Sequence, residues 1–111
     1  KVTPELTPPT LTMVKPKPGY LHLFNKPILP MSNTIIIGSV DIELEMSDNE
    51  SGIDRVDFYI DDVIKFSYSG PSITWPWMDK IPLKFTYNLK AIIYDKAGNS
   101  ASSELTVWRI L

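Results

Sequence analysis

The sequence lacks cysteine, and its 111 residues include only one histidine and five glycines. The absence of cysteine excludes disulfide bonds, thiolate catalysis and zinc–thiolate sites, and it leaves the redox compartment open. A serine nucleophile needs a neighbouring base, but the one histidine, His22, lies in a short predicted strand and no Gly-x-Ser-x-Gly motif is present. No glycine-rich phosphate loop occurs either. The sequence therefore predicts no catalytic residue and no enzymatic activity.

Long apolar runs are also missing. No stretch reaches eighteen consecutive apolar residues, so no membrane insertion is predicted, and no signal-peptide pattern opens the sequence. Because the first residue is lysine rather than methionine, we expect the chain to be a piece of a longer polypeptide. A hydrophobic content of 43% over this length predicts one domain with a core of its own.

Negative charge is concentrated in one segment. The net charge is −2, but residues 41–62 carry nine acidic residues against the single base Arg55. We interpret most of these acids as the solvated side of two alternating strands. Their charge argues against nucleic acid or anionic lipid as a partner of that face, and it leaves a cation or a basic protein surface as alternatives.

Alternating apolar residues and turn signals predict about seven strands and no helix. Residues 1–10 are proline-rich and are predicted to be a linker or flexible N-terminal segment, followed by a domain at 11–111. A loop is predicted over Asn25–Asn33. His22 is interpreted as an ordinary surface or edge residue rather than a metal ligand. The predicted strands are Leu11–Val14, Tyr20–Phe24, Thr34–Met46, Arg55–Ile60, Val63–Tyr68, Ile73–Trp77, Phe85–Asp95 and Ala101–Leu111.

Three segments of this pattern resemble a known family. They are Ser47-Asp48 with Ser51-Gly52-Ile53 and the strand Val56–Asp61, then Ile73–Trp77, and finally Tyr94-Asp95-Lys96-Ala97-Gly98-Asn99. In these segments the chain resembles the immunoglobulin-like and fibronectin-III-like modules of prokaryotic secreted and cell-surface proteins. The resemblance implies an all-β, immunoglobulin-like (fibronectin-III-like) antiparallel β-sandwich of about seven strands. Its strands A, B and E would face strands C′, C, F and G.

The resemblance and the alternation together assign the core. We expect the inward positions to be Val56, Phe58, Ile60, Leu89, Ala91, Ile93 and Trp77. Trp75 and Trp77 have two alternative roles, a platform on which carbohydrate stacks or large groups that fill the core, and we favour the core. Pro76 cannot donate a ladder hydrogen bond, so its strand should lie at a sheet edge. On the outer face, antiparallel pairing should place Arg55 near Tyr94 and Tyr59 near Lys90.

Two turns carry the candidate site residues. In a sandwich of this kind, the loop after strand B and the loop between strands F and G emerge at the same end. This placement brings Asp48, Asp54 and Asp95 together as a hypothetical calcium site, since calcium selects hard oxygen ligands. The alternative, which we favour, is that these aspartates accept backbone hydrogen bonds and shape their turns. Asn49 opens a glycosylation sequon on the same loop.

We predict a non-catalytic module of a larger secreted or cell-surface protein, acting as a structural spacer or adhesion unit. The alternative is an accessory carbohydrate-binding module attached to an extracellular enzyme. The expected partners are neighbouring domains of the same polypeptide, or a surface protein or polysaccharide, and the isolated domain should be a monomer. A binder should expose a contiguous aromatic patch, whereas a spacer should bury Trp75 and Trp77.

Overall fold

The computed structural model describes residues 8–48, 52–77 and 85–110, and these ranges contain ten β-strands arranged in two sheets. In chain order the strands are β1 (Thr10–Lys15), β2 (Tyr20–Leu23), β3 (Lys26–Pro30), β4 (Thr34–Ile37), β5 (Val40–Ser47), β6 (Ile53–Ile60), β7 (Val63–Tyr68), β8 (Ser72–Trp77), β9 (Thr86–Asp95) and β10 (Ser100–Ile110). The all-β sandwich that the sequence predicted is confirmed, with ten strands in the described ranges where about seven were expected.

The smaller sheet contains the predicted strands A, B and E in the order β1-β5-β8. In the central strand β5, Val40, Ile42, Leu44 and Met46 are buried, and the acidic residues between them face outward. This alternation is what a strand with one dry and one wet face requires. Pro76 lies in β8 at the edge of this sheet, where the missing N–H breaks no ladder, as predicted.

The larger sheet has seven strands in the order β3-β2-β4-β10-β9-β6-β7. Its β7, β6, β9 and β10 are the predicted strands C′, C, F and G. The predicted loop Asn25–Asn33 is wrong, because Lys26–Pro30 forms the edge strand β3, which pairs with β2. A loop was predicted because this segment contains Pro27 and Pro30, but proline is tolerated on an edge strand. Phe24 and Asn25, both with positive φ, form the tight turn between β2 and β3.

The predicted long strand Thr34–Met46 is two strands in different sheets. Gly38, with a φ of +87°, follows β4 and lets the chain cross from the larger sheet to the smaller one. β4 pairs in parallel with both β2 and β10, so the sheet is mixed rather than purely antiparallel. The prediction failed here because Thr34–Ile37 and Val40–Met46 are both apolar enough to read as one element.

The core lies between the two sheets and contains every inward position that the sequence assigned. Phe58, Leu89, Ala91 and Ile93 have no exposed surface, and Trp77 is only 2% exposed. Phe58 stacks on Phe66 at 5.2 Å between ring centroids, and the edge of Trp77 meets Tyr87 at the same distance. Aromatic pairs of this geometry add to the stabilisation that burial provides.

The turn between β6 and β7 has no glycine, yet both of its residues take positive φ, 51° at Asp61 and 67° at Asp62. Aspartate tolerates this conformation better than most residues. The Asp61 N–H donates to the Asn88 carbonyl (2.9 Å), and the Asp61 carboxylate accepts the Asn88 N–H (2.8 Å). These two hydrogen bonds offset the strain of a tight hairpin turn built without glycine.

Candidate interaction surface and the predicted metal ligands

The predicted calcium ligand Asp95 is buried at the end of β9. Its Oδ1 accepts the backbone N–H groups of Ala97 (3.0 Å) and Asn99 (2.8 Å), and its Oδ2 accepts the Asn99 side-chain amide (3.1 Å). The Asp95 N–H donates in turn to the Asn99 carbonyl (2.9 Å). The Asp95 carboxylate therefore holds the turn from β9 to β10 in shape.

Asp48 and Asp54 lie near the same end of the sandwich. Asp48 Oδ2 accepts the Gly52 N–H (2.7 Å), and the half-exposed Asp54 carboxylate pairs with the Arg55 guanidinium (3.1 Å). The Lys96 N–H donates to the Gly52 carbonyl (3.0 Å), so the two loops meet as predicted.

Within the described ranges, no group of three or more histidine, aspartate or glutamate side chains is arranged to hold a metal ion. Asn49, with its sequon, lies outside the described residues. The calcium hypothesis for Asp48, Asp54 and Asp95 stays a prediction, and its test is given below.

His22 is not the surface residue that the sequence suggested, because its side chain is completely buried in β2. Its Nε2 accepts the Lys17 N–H (2.9 Å), and its Nδ1 lies 3.1 Å from the Tyr20 carbonyl. Since a donor already points at Nε2, the neutral ring with the proton on Nδ1 satisfies both contacts. Burial lowers the pKa of His22 from its ordinary value near 6.5, against the opposing effect of the Ile35 and Tyr20 carbonyls. His22 therefore has a structural role between β2 and the Lys15–Pro18 segment.

Trp75 and Trp77 do not form an exposed aromatic platform. Trp77 is buried against Tyr87, and the Arg109 guanidinium lies over its indole ring at 4.5 Å. Trp75 is half-buried and contacts Phe58 and Phe66, with ring centroids 6.0 and 5.5 Å away. The interpretation of these tryptophans as core groups is confirmed for Trp77, and Trp75 packs against the core from the sheet edge.

An open groove of about 460 Å³ lies beside β1, β5 and the start of β8. Thr12, Glu45 and Ser72 are among its lining residues. The one titratable side chain in this lining is Glu45, so the groove does not bring together the groups that acid–base chemistry requires.

The outer face of the larger sheet is polar over its β6–β9 part. We call this surface, together with residues 100–106 of β10, the polar half; its outward residues are Arg55, Asp57, Tyr59, Asn88, Lys90, Ile92, Tyr94, Ser100, Ser102, Glu104 and Thr106, and Ile92 is the apolar member of this set. Arg55 pairs with Tyr94 and lies over its ring at 4.2 Å, and Tyr59 pairs with Lys90, so the predicted register is confirmed. The Asp57 carboxylate, which also accepts the Ser67 hydroxyl (2.6 Å), raises the pKa of Arg55 above its ordinary value.

The same face is apolar where β3, β2, β4 and β10 pair. We call this surface the apolar half; its residues are Leu21, Leu23, Leu29, Ile35, Ile37, Trp108 and Ile110. Register places Ile35 between Leu21 and Trp108, and Ile37 between Leu23 and Ile110. Trp108 and Ile110 are 43% and 42% exposed, whereas Ile36 on the opposite face of β4 is fully buried. The sequence reasoning missed this surface, although the run Ile35-Ile36-Ile37 indicates a strand that is apolar on both faces.

No family model matches the sequence. No curated protein sequence matches it either. Six chains from solved structures are similar to this one, and two of these structures illustrate the match. One, of fibronectin(III)-like modules of Clostridium thermocellum CbhA, has a TM-score of 0.60 and 18% identity, and the match covers 92% of this chain. The other, an endo-β-1,4-mannanase from Thermotoga petrophila, has a TM-score of 0.63 and 9% identity over 96% of this chain.

The matched regions are 46% of the CbhA chain and 20% of the mannanase chain, so this chain spans less than half the length of either structure. Identities this low establish the fold alone. The described ranges contain no helix long and apolar enough to cross a membrane. The architecture of two sheets, the core between them and the similarity to the CbhA modules together show that this chain has the fold of an immunoglobulin-like, fibronectin-III-like module.

Proposed function

We propose that this chain is a non-catalytic module of a longer secreted or cell-surface protein, where it serves as a structural spacer beside other domains. The observation that carries the proposal is the similarity to fibronectin(III)-like modules over 92% of this chain but less than half of the matched chain. A unit of this fold thus occurs as part of a longer polypeptide.

The buried polar side chains support a structural role. His22 joins β2 to the backbone of Lys17, and Asp95 shapes the turn after β9. Asp57 accepts hydrogen bonds from Ser67 and Arg55. Each of these titratable groups is engaged in holding the fold, whereas a catalytic acid or base needs access to a substrate.

The second candidate is an accessory carbohydrate-binding module, and the similarity to a mannanase is the observation that favours it. Burial of Trp77 removes the Trp75–Trp77 platform on which such binding would rest. The exposed indole of Trp108 lies between Ile35 on β4 and Thr86 on β9, whereas sugar recognition needs several polar groups placed around the ring.

A sedimentation assay with insoluble cellulose and mannan distinguishes the two candidates. We expect the isolated chain to stay in the supernatant with both polysaccharides. Retention on either one that Trp108→Ala abolishes, and that Ile28→Ala on the edge strand does not, would replace the spacer by the carbohydrate-binding module.

The spacer function itself is tested in the natural polypeptide that contains this chain. We expect deletion of residues 11–111 to leave the catalytic or binding activity of its other domains unchanged. Loss of that activity, in a deletion variant whose other domains melt normally, would contradict a passive spacer. Fractionation of the source cells should place the polypeptide at the surface or in the medium, and recovery from the cytoplasm would contradict the proposed location.

A further inference from the structure

The apolar half of the larger sheet is a surface that the sandwich itself does not use. Its seven side chains follow one another across four strands, and the one charged residue paired with them in the described register is Lys26 on the edge strand β3, opposite Leu23. Monomeric proteins rarely expose contiguous apolar patches larger than a few hundred Å², and the largest such patch on a monomer is often a functional surface. Phe24, which follows Leu23 in the chain, is 66% exposed.

The patch is tied to particular strands. Along the outward side of β10, the residues Ser102, Glu104 and Thr106 are polar, and Trp108 and Ile110 are apolar. The change coincides with the start of the pairing between β10 and β4 at Val107. The apolar surface is therefore carried by β2, β3 and β4, which are additional to the predicted strands A, B, C, C′, E, F and G, and by the end of β10 that pairs with β4.

From this placement we infer that the apolar half is the docking surface for a neighbouring domain of the same polypeptide, one that presents an aliphatic or aromatic face. The inference rests on the proposed function, since it names the partner of the module. The surface excludes water between the two domains and fixes their relative orientation, which makes the module a rigid spacer rather than a loose one.

The size of the patch favours a tethered partner over a second copy of the chain. Three strand spacings of about 4.8 Å give it a width of about 15 Å, and an area on the order of a few hundred Å². A stable complex between separate proteins needs about 800 Å² from each partner. A covalently joined domain needs less, because the linker gives it an effective concentration on the order of millimolar.

The apolar half includes the last residue of β10. Ile110 is both the last residue of β10 and a member of the apolar half, so polypeptide joined after this strand starts at the docking surface. Strand addition at the neighbouring sheet edge is disfavoured, because Pro27 and Pro30 in β3 cannot donate hydrogen bonds. A partner therefore meets the face of the sheet rather than its edge.

Thiol labelling tests this docking surface, because the chain has no cysteine of its own. Ile110→Cys places a thiol in the apolar half, and Ser102→Cys places one on the same side of the same strand in the polar half. Each variant is labelled with a maleimide, as the isolated chain and within the natural polypeptide, and the modified peptide is quantified by mass spectrometry. We expect similar labelling rates in the isolated chain, and at least tenfold slower labelling of Ile110→Cys alone in the natural polypeptide.

Equal labelling of Ile110→Cys in both settings would overturn the docking surface while leaving the spacer function intact. Labelling that slows with the concentration of the isolated chain would also overturn it, because a second copy would then be the occupant. Absence of a second folded domain from the natural polypeptide would instead defeat the proposed function. Trp108→Thr provides a second measurement: it should separate the melting transitions of the two domains, and an unchanged joint transition would contradict the inference.

Discussion

The polar and apolar halves of the larger sheet share one backbone and one core, but their outer surfaces differ in kind. In the polar half, Arg55 lies over Tyr94, and the Asn88 amide donates to Glu104 (3.1 Å). In the apolar half, Trp108 and Ile110 lie beside Ile35 and Ile37. The polar half presents mainly polar and charged side chains to the solvent, whereas the apolar half leaves hydrophobic surface exposed to water. The difference places the exposed hydrophobic surface on β2, β3, β4 and the end of β10, and it leaves the outer face of β6 and β9 largely polar.

The largest expected effect comes from the core beneath the two halves. Phe58 lies under the polar half and Ile36 under the apolar half, and both are fully buried. We expect Phe58→Ala to lower the free energy of unfolding by about 3–5 kcal/mol and Ile36→Ala by about 2–5 kcal/mol. Val63→Ala, at a position 57% exposed, is the control and should cost less than about 0.5 kcal/mol.

Denaturant melts of the three variants measure these losses. A loss below about 1 kcal/mol for Ile36→Ala, together with a large loss for Phe58→Ala, would contradict the view that the two halves share one core. It would show that β2, β3 and β4 are an appendage rather than part of the same cooperative unit.

The second-largest loss in the free energy of unfolding is expected at Gly38, where the chain leaves the apolar half. An added Cβ would lie 2.8 Å from Cδ1 of Phe24, and the φ of +87° strains any other residue. Gly98, with a φ of +96° and no atom within 4 Å of an added Cβ, carries the strain without the contact. We expect Gly98→Ala to cost about 1–2 kcal/mol and Gly38→Ala to cost more.

A double variant separates the two contributions at Gly38. Adding Phe24→Ala should bring the cost of Gly38→Ala down to that of Gly98→Ala, as measured by denaturant melts. If the cost stays unchanged, the Phe24 ring does not pack over Gly38.

Much of the basic sandwich could be predicted from the sequence, because strict alternation leaves one register that buries the apolar residues. That rule gave the inward set around Phe58 and Trp77 and the cross-strand pair of Arg55 and Tyr94. The end of the sandwich where Asp48 and Asp95 lie followed from topology and two turn signals.

Of the added strands, β2 was predicted as Tyr20–Phe24, but β3 and β4 could not be predicted as separate strands from the same rules. β3 contains Pro27 and Pro30, which local rules assign to a loop, and only its edge position makes them acceptable. β4 is apolar on both faces, so its pattern does not say which face is inward. The burial of His22 depends on the Lys17 backbone folding over it, a tertiary contact without a local signal. The apolar half was missed for this reason, since it exists only once β2, β4 and β10 are adjacent.

A smaller effect is expected from pH, through His22 beneath the apolar half. Burial lowers its folded-state pKa below the unfolded value of about 6.5, helped by the nearby positive charge of Lys15. As pH falls below about 6.5, the unfolded chain binds a proton that the folded chain excludes, so the free energy of unfolding decreases. Above that pH the ring is neutral in both states and contributes no slope.

Chemical denaturation at pH 8 and at pH 5.5 measures this dependence, and His22→Gln is the control. If His22→Gln only removes a packing group, it lowers the free energy of unfolding by a similar amount at pH 8 and at pH 5.5. We expect the loss of stability between pH 8 and pH 5.5 to be smaller in His22→Gln than in the original chain. An equal loss in the two proteins would mean that protonation of His22 is not resisted by the fold.

The smallest expected effect is that of calcium at the far end of the sandwich. Calcium needs six to eight oxygen ligands, but both oxygens of Asp95 already accept N–H groups, and Asp54 pairs with Arg55. We therefore expect the same melting temperature in millimolar calcium and in chelator. A site occupied at a hundred times its dissociation constant would add about 2.7 kcal/mol to the free energy of unfolding, a shift that a thermal melt detects. A calcium-dependent rise that Asp95→Asn abolishes, and that Asp62→Asn in the turn between β6 and β7 leaves in place, would establish the site and make the module a calcium-regulated unit.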